Sequence, residues 1–356
     1  MSTSPCNPLG ERFGRYILLE AIGKGGMAEV FRAVSHGVEG FQRVFVIKRI
    51  LKEKSASKEF IEMFVNEARI SALLNHPNVV QIYDFGQIGG SYFLTMEYLR
   101  GKDLLTLLRQ LHSSNRAIDA GTAAYIAQQV AAGLHYAHSL TAAGGRGLKI
   151  VHRDVSPSNI MLLRQGGVKL LDFGIAKAST DIRKHGTTQV GLLKGKLSYL
   201  SPEQLKAGQI DGRSDVFALG VVLWECLTGK RLFFDKTDFQ TMRNVIERPI
   251  PPPSTQRSDL PAALDYIVVR ALERDLDRRY PDAKAMVEDL ESFLQEARYA
   301  PGTLPRLLDE LFGQDTLHAE AQIPASYLGE EPAPTPVSRS SVGGYPSTSI
   351  PPVASG

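Results

Sequence analysis

Asp154, Asn159 and Asp172 carry side chains suited to taking a hydroxyl proton and holding a divalent cation. The first two lie in Ile150-Val151-His152-Arg153-Asp154-Val155-Ser156-Pro157-Ser158-Asn159, and the third opens Asp172-Phe173-Gly174. Between them the apolar run Ile160 to Leu163 and the mostly apolar Val168 to Leu171 flank a turn-like Arg164-Gln165-Gly166-Gly167, which reads as a hairpin. Pairing Leu163 with Val168 sets Asn159 opposite Asp172, so that an amide oxygen and a carboxylate share one end of a two-stranded ribbon. Hard oxygen donors of this kind suit Mg²⁺, which keeps few protein ligands and completes its shell with water and phosphate oxygens. Asp154 sits on the loop entering the same end. Each residue alone reads as a cap or turn former; together, in this register, they point to chemistry.

Further groups come from the elements upstream. Val44 to Ile50 alternates so that Val44, Val46, Lys48 and Ile50 share one strand face. A lysine there either finds an anion to offset its desolvation or snorkels at a sheet edge. From Lys58 to Asn75, Phe60, Phe64 and Leu74 form a helical stripe that also carries Glu67. That carboxylate either pairs with a buried cation, Lys48 being available, or lies at the stripe's margin. Earlier still, Gly23-Lys24-Gly25-Gly26-Met27-Ala28-Glu29 separates the strand-like runs Tyr16–Ile22 and Val30–Val34. Glycines at such a turn let N–H groups face phosphate oxygens, although most such turns are plain hairpin connections.

His-Arg-Asp-x-x-x-x-Asn followed by Asp-Phe-Gly resembles the catalytic core of protein kinases, and the chain is similar to the bacterial eukaryotic-like (Hanks-type) Ser/Thr kinases. The resemblance covers about Tyr16 to Leu294. It implies an α+β, protein-kinase-like bilobal fold: a small β-rich N-lobe at about 15–96, a hinge at 97–101 and a larger, mainly helical C-lobe at about 102–298. Segments 1–14 and 299–356 are expected to be disordered flanks, the second only mostly, with a short amphipathic helix at Leu304–Phe312. By the same resemblance Asp154 accepts the substrate hydroxyl's proton, and Asn159 and Asp172 hold Mg²⁺ on ATP. Lys48 contacts the α- and β-phosphates and pairs with Glu67 when the helix is swung in. The implied nucleotide pocket takes in Ile22, Gly23, Lys24, Gly25 and Gly26, then Met27, Ala28, Glu29 and Val30, with Ala28 replacing the family's third glycine. Val46, where the family has a small alanine, narrows the adenine slot, and Met161 completes the apolar contacts. Met96 is the implied gatekeeper, and the backbone of Glu97 and Leu99 the hinge contact. Asp103 either caps the next helix, the first expectation, or touches the ribose.

A polar segment with Thr180, Thr187 and Thr188 leads to Ser201-Pro202-Glu203 and resembles an activation loop. Arg153 would receive a phosphate on Thr188 or, as second choice, Thr187. Ser214-Asp215 reads as the cap of the apolar helix through Leu227, the family's aspartate also anchoring the catalytic loop. Arg279 is implied to pair with Glu203. Ala142 to Gly147 reads as a surface insertion. Two positions depart from the family: Ser156 stands where a lysine usually reaches the γ-phosphate, and Lys196 stands where a threonine usually follows Gly195. Lys196 either supplies the missing charge from the other side of the site or points to solvent. The leading expectation is an ATP- and Mg-dependent kinase acting on Ser or Thr of protein substrates, itself included. The alternative is a pseudokinase serving as a nucleotide-binding scaffold. Tyrosine specificity is disfavoured, because 156–158 lack the arginine that tyrosine kinases place there.

Composition sets outer bounds. The 356 residues, 43% hydrophobic, suffice for one large domain or two ordinary ones. A net charge of +3 without a long basic run argues against a nucleic-acid surface. The two cysteines, Cys6 and Cys226, support no disulfide framework and fit a reducing compartment. Met1 to Gly14 lacks a signal-peptide pattern, and the apolar run Val216 to Leu227 is shorter than the roughly 20 residues a bilayer requires. The expectation is a cytoplasmic kinase, either soluble or the cytosolic part of a longer, membrane-tethered protein. Oligomeric state is left open, a transient dimer included.

Overall fold

Two-residue alternation in the N-terminal third produces a sheet with two different faces. In the computed structural model, which describes residues 10–36, 42–55, 57–142, 144–145, 147–173 and 195–313, six strands pair antiparallel in the order β1-β2-β3-β4-β6-β5. They are β1 (Glu11–Phe13), β2 (Tyr16–Lys24), β3 (Ala28–His36), β4 (Gln42–Ile50), β5 (Ile82–Ile88) and β6 (Ser91–Glu97). One face of β4 gives Val46 and Ile50 to a cluster with Ala28, Phe64, Leu94 and Met96. The other gives Ile47 to a cluster with Phe13, Tyr16, Leu18, Phe31 and Phe93. Helix α1 (Lys58–Ser71) lays Phe64 and Ala68 on the first face. It ends four residues before the expected Asn75. Leu74 is buried instead with Val79, Ala137, Ile150 and Phe173, where the chain crosses toward the second lobe.

That lobe starts with a small sheet of β7 (Gly101–Asp103), β8 (Ile160–Leu163) and β9 (Val168–Leu170) in that order. Gly101 has to be glycine: a Cβ would stand 1.9 Å from the Leu162 carbonyl oxygen. Helices α2 (Leu104–Ser113), α3 (Ala120–Ser139), α4 (Pro202–Leu205), α5 (Gly212–Thr228), α6 (Asp238–Glu247), α7 (Ala262–Ala271) and α8 (Ala283–Glu296) follow. Asp103 caps α2 as expected, accepting from Thr106 N–H at 2.9 Å. Helix α5 is buried continuously from Ser214 to Leu227, as its all-round apolar sequence requires. Its cap is Asp211, which accepts from Arg213 N–H; the expected cap pair Ser214-Asp215 lies inside the first turn and is used elsewhere.

The β8–β9 register differs by one residue from the sequence-based one. Leu163 N–H donates to Gly167 O at 2.8 Å, and Ile160 pairs with Leu170, so Asn159 lies opposite Leu171 rather than Asp172. Gly166, at φ 93°, closes a three-residue loop, for which a left-handed glycine is the usual solution. Asp172 follows one position beyond the ribbon, at φ 34°.

The packed lobe also runs past the expected boundary at 298. Helix α9 (Thr303–Phe312) buries Leu304 and Leu308 in the main C-lobe core, and Arg116 Nη1 reaches Glu310 at 2.7 Å. Amphipathicity showed the helix, not its landing place. Leu308→Ala is expected to cost about 2–3 kcal/mol, the lower part of the range for buried leucines because α9 is the last of the described elements. Urea unfolding followed by Trp224, the chain's one tryptophan, measures it. Gly174, Thr180, Thr187, Thr188, residues 1–9 and the tail from Gln314 lie outside the described residues. Among the described residues no helix is long and apolar enough to cross a membrane.

Candidate active site

Strand β4 and helix α1 bring Lys48 and Glu67 together. Lys48 Nζ stands 2.5 Å from Glu67 Oε1 and 3.0 Å from Asp172 Oδ1. Burial works against a charged ammonium, but the Asp172 and Glu67 carboxylates outweigh it and hold Lys48 protonated well above the ordinary lysine range. The same burial pushes the Glu67 carboxyl up against the pull of Lys48. Asp172 keeps 44% of its side chain exposed, so it borders open cleft while tied to the lysine.

The loop carrying Asp154 is held from below by α5. Asp215, fully buried, accepts the backbone N–H groups of His152 at 2.7 Å and Arg153 at 2.8 Å, and meets His138 Nε2 at 2.8 Å. Burial alone would raise its pKa, but these donors hold the carboxyl below its ordinary value. Arg153 takes φ 64°, a left-handed conformation costly for a non-glycine residue and maintained here by its bond to Asp215. His152 is buried, and burial lowers its pKa, so its neutral ring donates from Nε2 to Leu171 O at 2.8 Å while Nδ1 accepts from Asp154 N–H at 3.3 Å. Asn159 Nδ2 donates to the Asp154 backbone oxygen at 2.8 Å and to its Oδ2 at 3.0 Å. The amide nitrogen is thus committed to Asp154, fixing the orientation of the group.

Of the two placements left open for Lys196, the structure has the inward one: Nζ lies 2.8 Å from Asp154 Oδ2. Ser156 is 2% exposed and its Oγ lies 3.2 Å from Ser158 Oγ. Arg153 is described, but its implied partners Thr187 and Thr188 lie outside the described residues.

An apolar cluster adjoins these charges. Val30, Val46, Met96 and Leu99 belong to one cluster with Leu171, which stands between β9 and Asp172. Above it β2 and β3 extend further into the glycine segment than expected, leaving Gly25-Gly26-Met27 as the turn. Gly25 N–H donates to Ala28 O at 2.8 Å, and Lys24 Nζ meets Glu29 at 3.2 Å. Ile22, Gly23 and Lys24 are exposed along this lip. Met161, half-buried, lies opposite Lys169 and Asp103 in the small sheet. The Glu97 side chain accepts from Gln81 N–H at 2.8 Å and from Lys169 Nζ at 2.6 Å, which ties the end of β6 to β9. Lys169 and His138 were not anticipated. Lys169 gave a usable signal, a cation between buried Val168 and Leu170 in a strand, whereas His138 on the Ala-rich α3 gave none.

The family description "Protein kinase domain" matches residues 16–291. The chain is 40% identical over 319 residues to tyrosine-protein kinase MasK of Myxococcus xanthus, covering 89% of this chain and 49% of that protein. It is 35% identical over 283 residues to serine/threonine-protein kinase PknH of Mycobacterium tuberculosis, covering 80% and 42%. With serine/threonine-protein kinase PrkC of Bacillus subtilis it shares 31% over 330 residues, 88% and 48% of the two chains. It thus spans about half the length of these relatives. The crystal structure of the Mycobacterium tuberculosis PknI kinase domain superposes with a TM-score of 0.58 at 25% identity, over 82% of this chain and 99% of that one. The bilobal fold expected from the motifs is therefore the fold found, and the chain belongs to the protein kinase family, similar to its bacterial Hanks-type members.

Proposed function

We propose that this chain is an ATP- and Mg²⁺-dependent protein kinase that transfers the γ-phosphoryl group to Ser or Thr hydroxyls of proteins, its own activation segment included. One observation carries the reading: a lysine locked between Glu67 and Asp172 faces the same cleft as Asp154, itself fixed by Asn159 and Lys196. In a nucleotide-binding scaffold Lys48, Asn159 and Asp172 would still hold ATP, but Asp154, the proton acceptor, would have no work to do.

Lys48 would bind the α- and β-phosphates, and the apolar cluster of Val30, Val46, Met96 and Leu99 would take the adenine. Asn159, through its amide oxygen, and Asp172 would hold Mg²⁺, which supplies charge neutralisation on the phosphates. Their donor set fits: two hard oxygens beside an open cleft. Asp154 orients the acceptor hydroxyl and takes its proton as the oxygen–phosphorus bond forms and ADP departs with the electrons of the broken bond. Catalysis is positioning and charge compensation.

The Ser/Thr assignment is supported by the names of PknH and PrkC and by the missing arginine at 156–158, whereas MasK is named a tyrosine kinase. Incubation with γ-labelled ATP and Mg²⁺ is expected to label serine and threonine on a protein acceptor and on the chain, and to stop on chelation. Nucleotide binding without transfer would instead establish the scaffold, and label on tyrosine alone would overturn the acceptor assignment.

A further inference from the structure

We propose that Lys196 is a catalytic residue for the γ-phosphate, taking over from outside the catalytic loop the charge that position 156 does not provide; this rests on the phosphotransfer reading above. Ser156 cannot supply it. Its side chain is short, buried and turned to Ser158. Lys48 cannot serve both ends of the triphosphate, since its ammonium is held between two carboxylates.

Lys196 has both the position and the support. Its Nζ is 2.8 Å from the oxygen of Asp154 that also takes the Asn159 amide. A hydroxyl delivered to that carboxylate lies about 3 Å from it, and the phosphorus it attacks about 3–3.5 Å further on. The phosphoryl oxygens and the ammonium therefore surround the same carboxylate, within a small pivot of a long side chain. The backbone beneath is fixed: Tyr199 N–H donates to Lys196 O at 3.1 Å, Ser198 Oγ to Gly195 O at 2.9 Å, and Tyr199 OH to Glu225 at 2.7 Å. Gly195, at φ 100°, makes the entry that a residue with a Cβ resists.

The charge shift during reaction gives this placement its effect. As the hydroxyl proton moves to Asp154, the carboxylate loses its charge and the ammonium's attraction passes to the phosphoryl oxygens. The new oxygen–phosphorus bond forms while the bridge to the β-phosphate breaks and ADP leaves with the electron pair. Lys196 thus binds more strongly at the transition state than before it, the condition for raising kcat.

The test compares the parent chain with Lys196→Met, Lys196→Arg and Lys196→Met/Ser156→Lys. It measures phosphoryl transfer to a fixed protein acceptor and binding of ADP and of AMP-PNP, both with Mg²⁺. Lys196→Met is expected to lower kcat about 10²-fold and to raise KM for ATP by no more than about tenfold. It should weaken AMP-PNP about tenfold while leaving ADP unchanged, because only the former carries a γ-phosphate. Lys196→Arg should retain most turnover, and Ser156→Lys should restore at least about tenfold of the loss. An active parent with a Lys196→Met variant of undiminished kcat, or one that weakens ADP and AMP-PNP equally, overturns this assignment alone. A parent that transfers no phosphate overturns the phosphotransfer reading and this assignment with it.

Discussion

Asp154→Asn loses phosphoryl transfer by about 10²–10⁴-fold, the range for removing a general base, while nucleotide affinity and thermal stability stay near those of the parent. The geometry separates chemistry from folding at this position. Asn159 Nδ2 and Lys196 Nζ both bond to one carboxylate oxygen, Oδ2, and the amide oxygen of an asparagine can take both bonds. The backbone on either side is held independently, through Asp215 before it and the Asn159 bond to the Asp154 carbonyl after it. What the amide cannot do is accept the hydroxyl proton. Initial rates with labelled ATP, ADP calorimetry and a melting curve on the same preparation check the three parts. A variant keeping more than about a tenth of the parent's turnover removes Asp154 from the proton's path.

Much of this site was legible because its parts obey short periods. Lys48 shares a strand face with Val46 by the two-residue repeat, and Glu67 shares the helix face of Phe64 by the 3.6-residue repeat, so each appeared as a charge on an apolar surface. The hairpin was legible in kind but not in register. Its slip came from counting Gly167 into the turn, where Gly166 alone takes the left-handed conformation. Even so, Asp172 reaches the cleft, because the chain bends at that residue just after β9 instead of continuing the ladder. Contacts between distant segments were harder. Lys196 was visible as a misplaced cation, yet a long side chain on a short turn has no periodicity to give its direction. The landing of α9 on the C-lobe and the Lys169–Glu97 tie depend on tertiary placement, to which amphipathic pattern is blind. Asp215 was expected to cap α5 and to anchor the loop as well; Asp211 takes the capping role, freeing Asp215 for His152 and Arg153.

Arg279→Met is expected to destabilise the C-lobe by about 3–5 kcal/mol, the cost of leaving one member of a buried ion pair without the other. Against a total stability of order 5–15 kcal/mol for a folded domain, that is a large share. Arg279 is fully buried over the Phe217 ring and donates to Glu203 at 2.7 and 3.2 Å, to Arg213 O at 2.9 Å and to Glu273 O at 2.7 Å. Burial alone would raise the Glu203 pKa, but Arg279 and Ser214 hold it below the ordinary range, so the parent draws stability from this group at neutral pH and loses it as pH falls through the carboxylate range. In the variant the carboxylate is buried without its cation and relieves itself by protonation, so the deficit against the parent narrows toward acid pH. Glu203→Gln/Arg279→Met, which removes the uncompensated charge, should recover part of the loss, a non-additivity that a double-mutant cycle reads directly. Urea unfolding at neutral and mildly acidic pH, followed by Trp224 in α5, supplies the numbers; equal deficits at both pH values would refute the charge argument. Because Glu203 also accepts from Ser214 Oγ at 2.7 Å, and Ser214 precedes the aspartate that holds the catalytic loop, turnover should fall in this variant well below its unfolding midpoint. Stability and catalysis meet there in one chain of bonds, from Arg279 through Glu203 and the first turn of α5 to the backbone before Asp154.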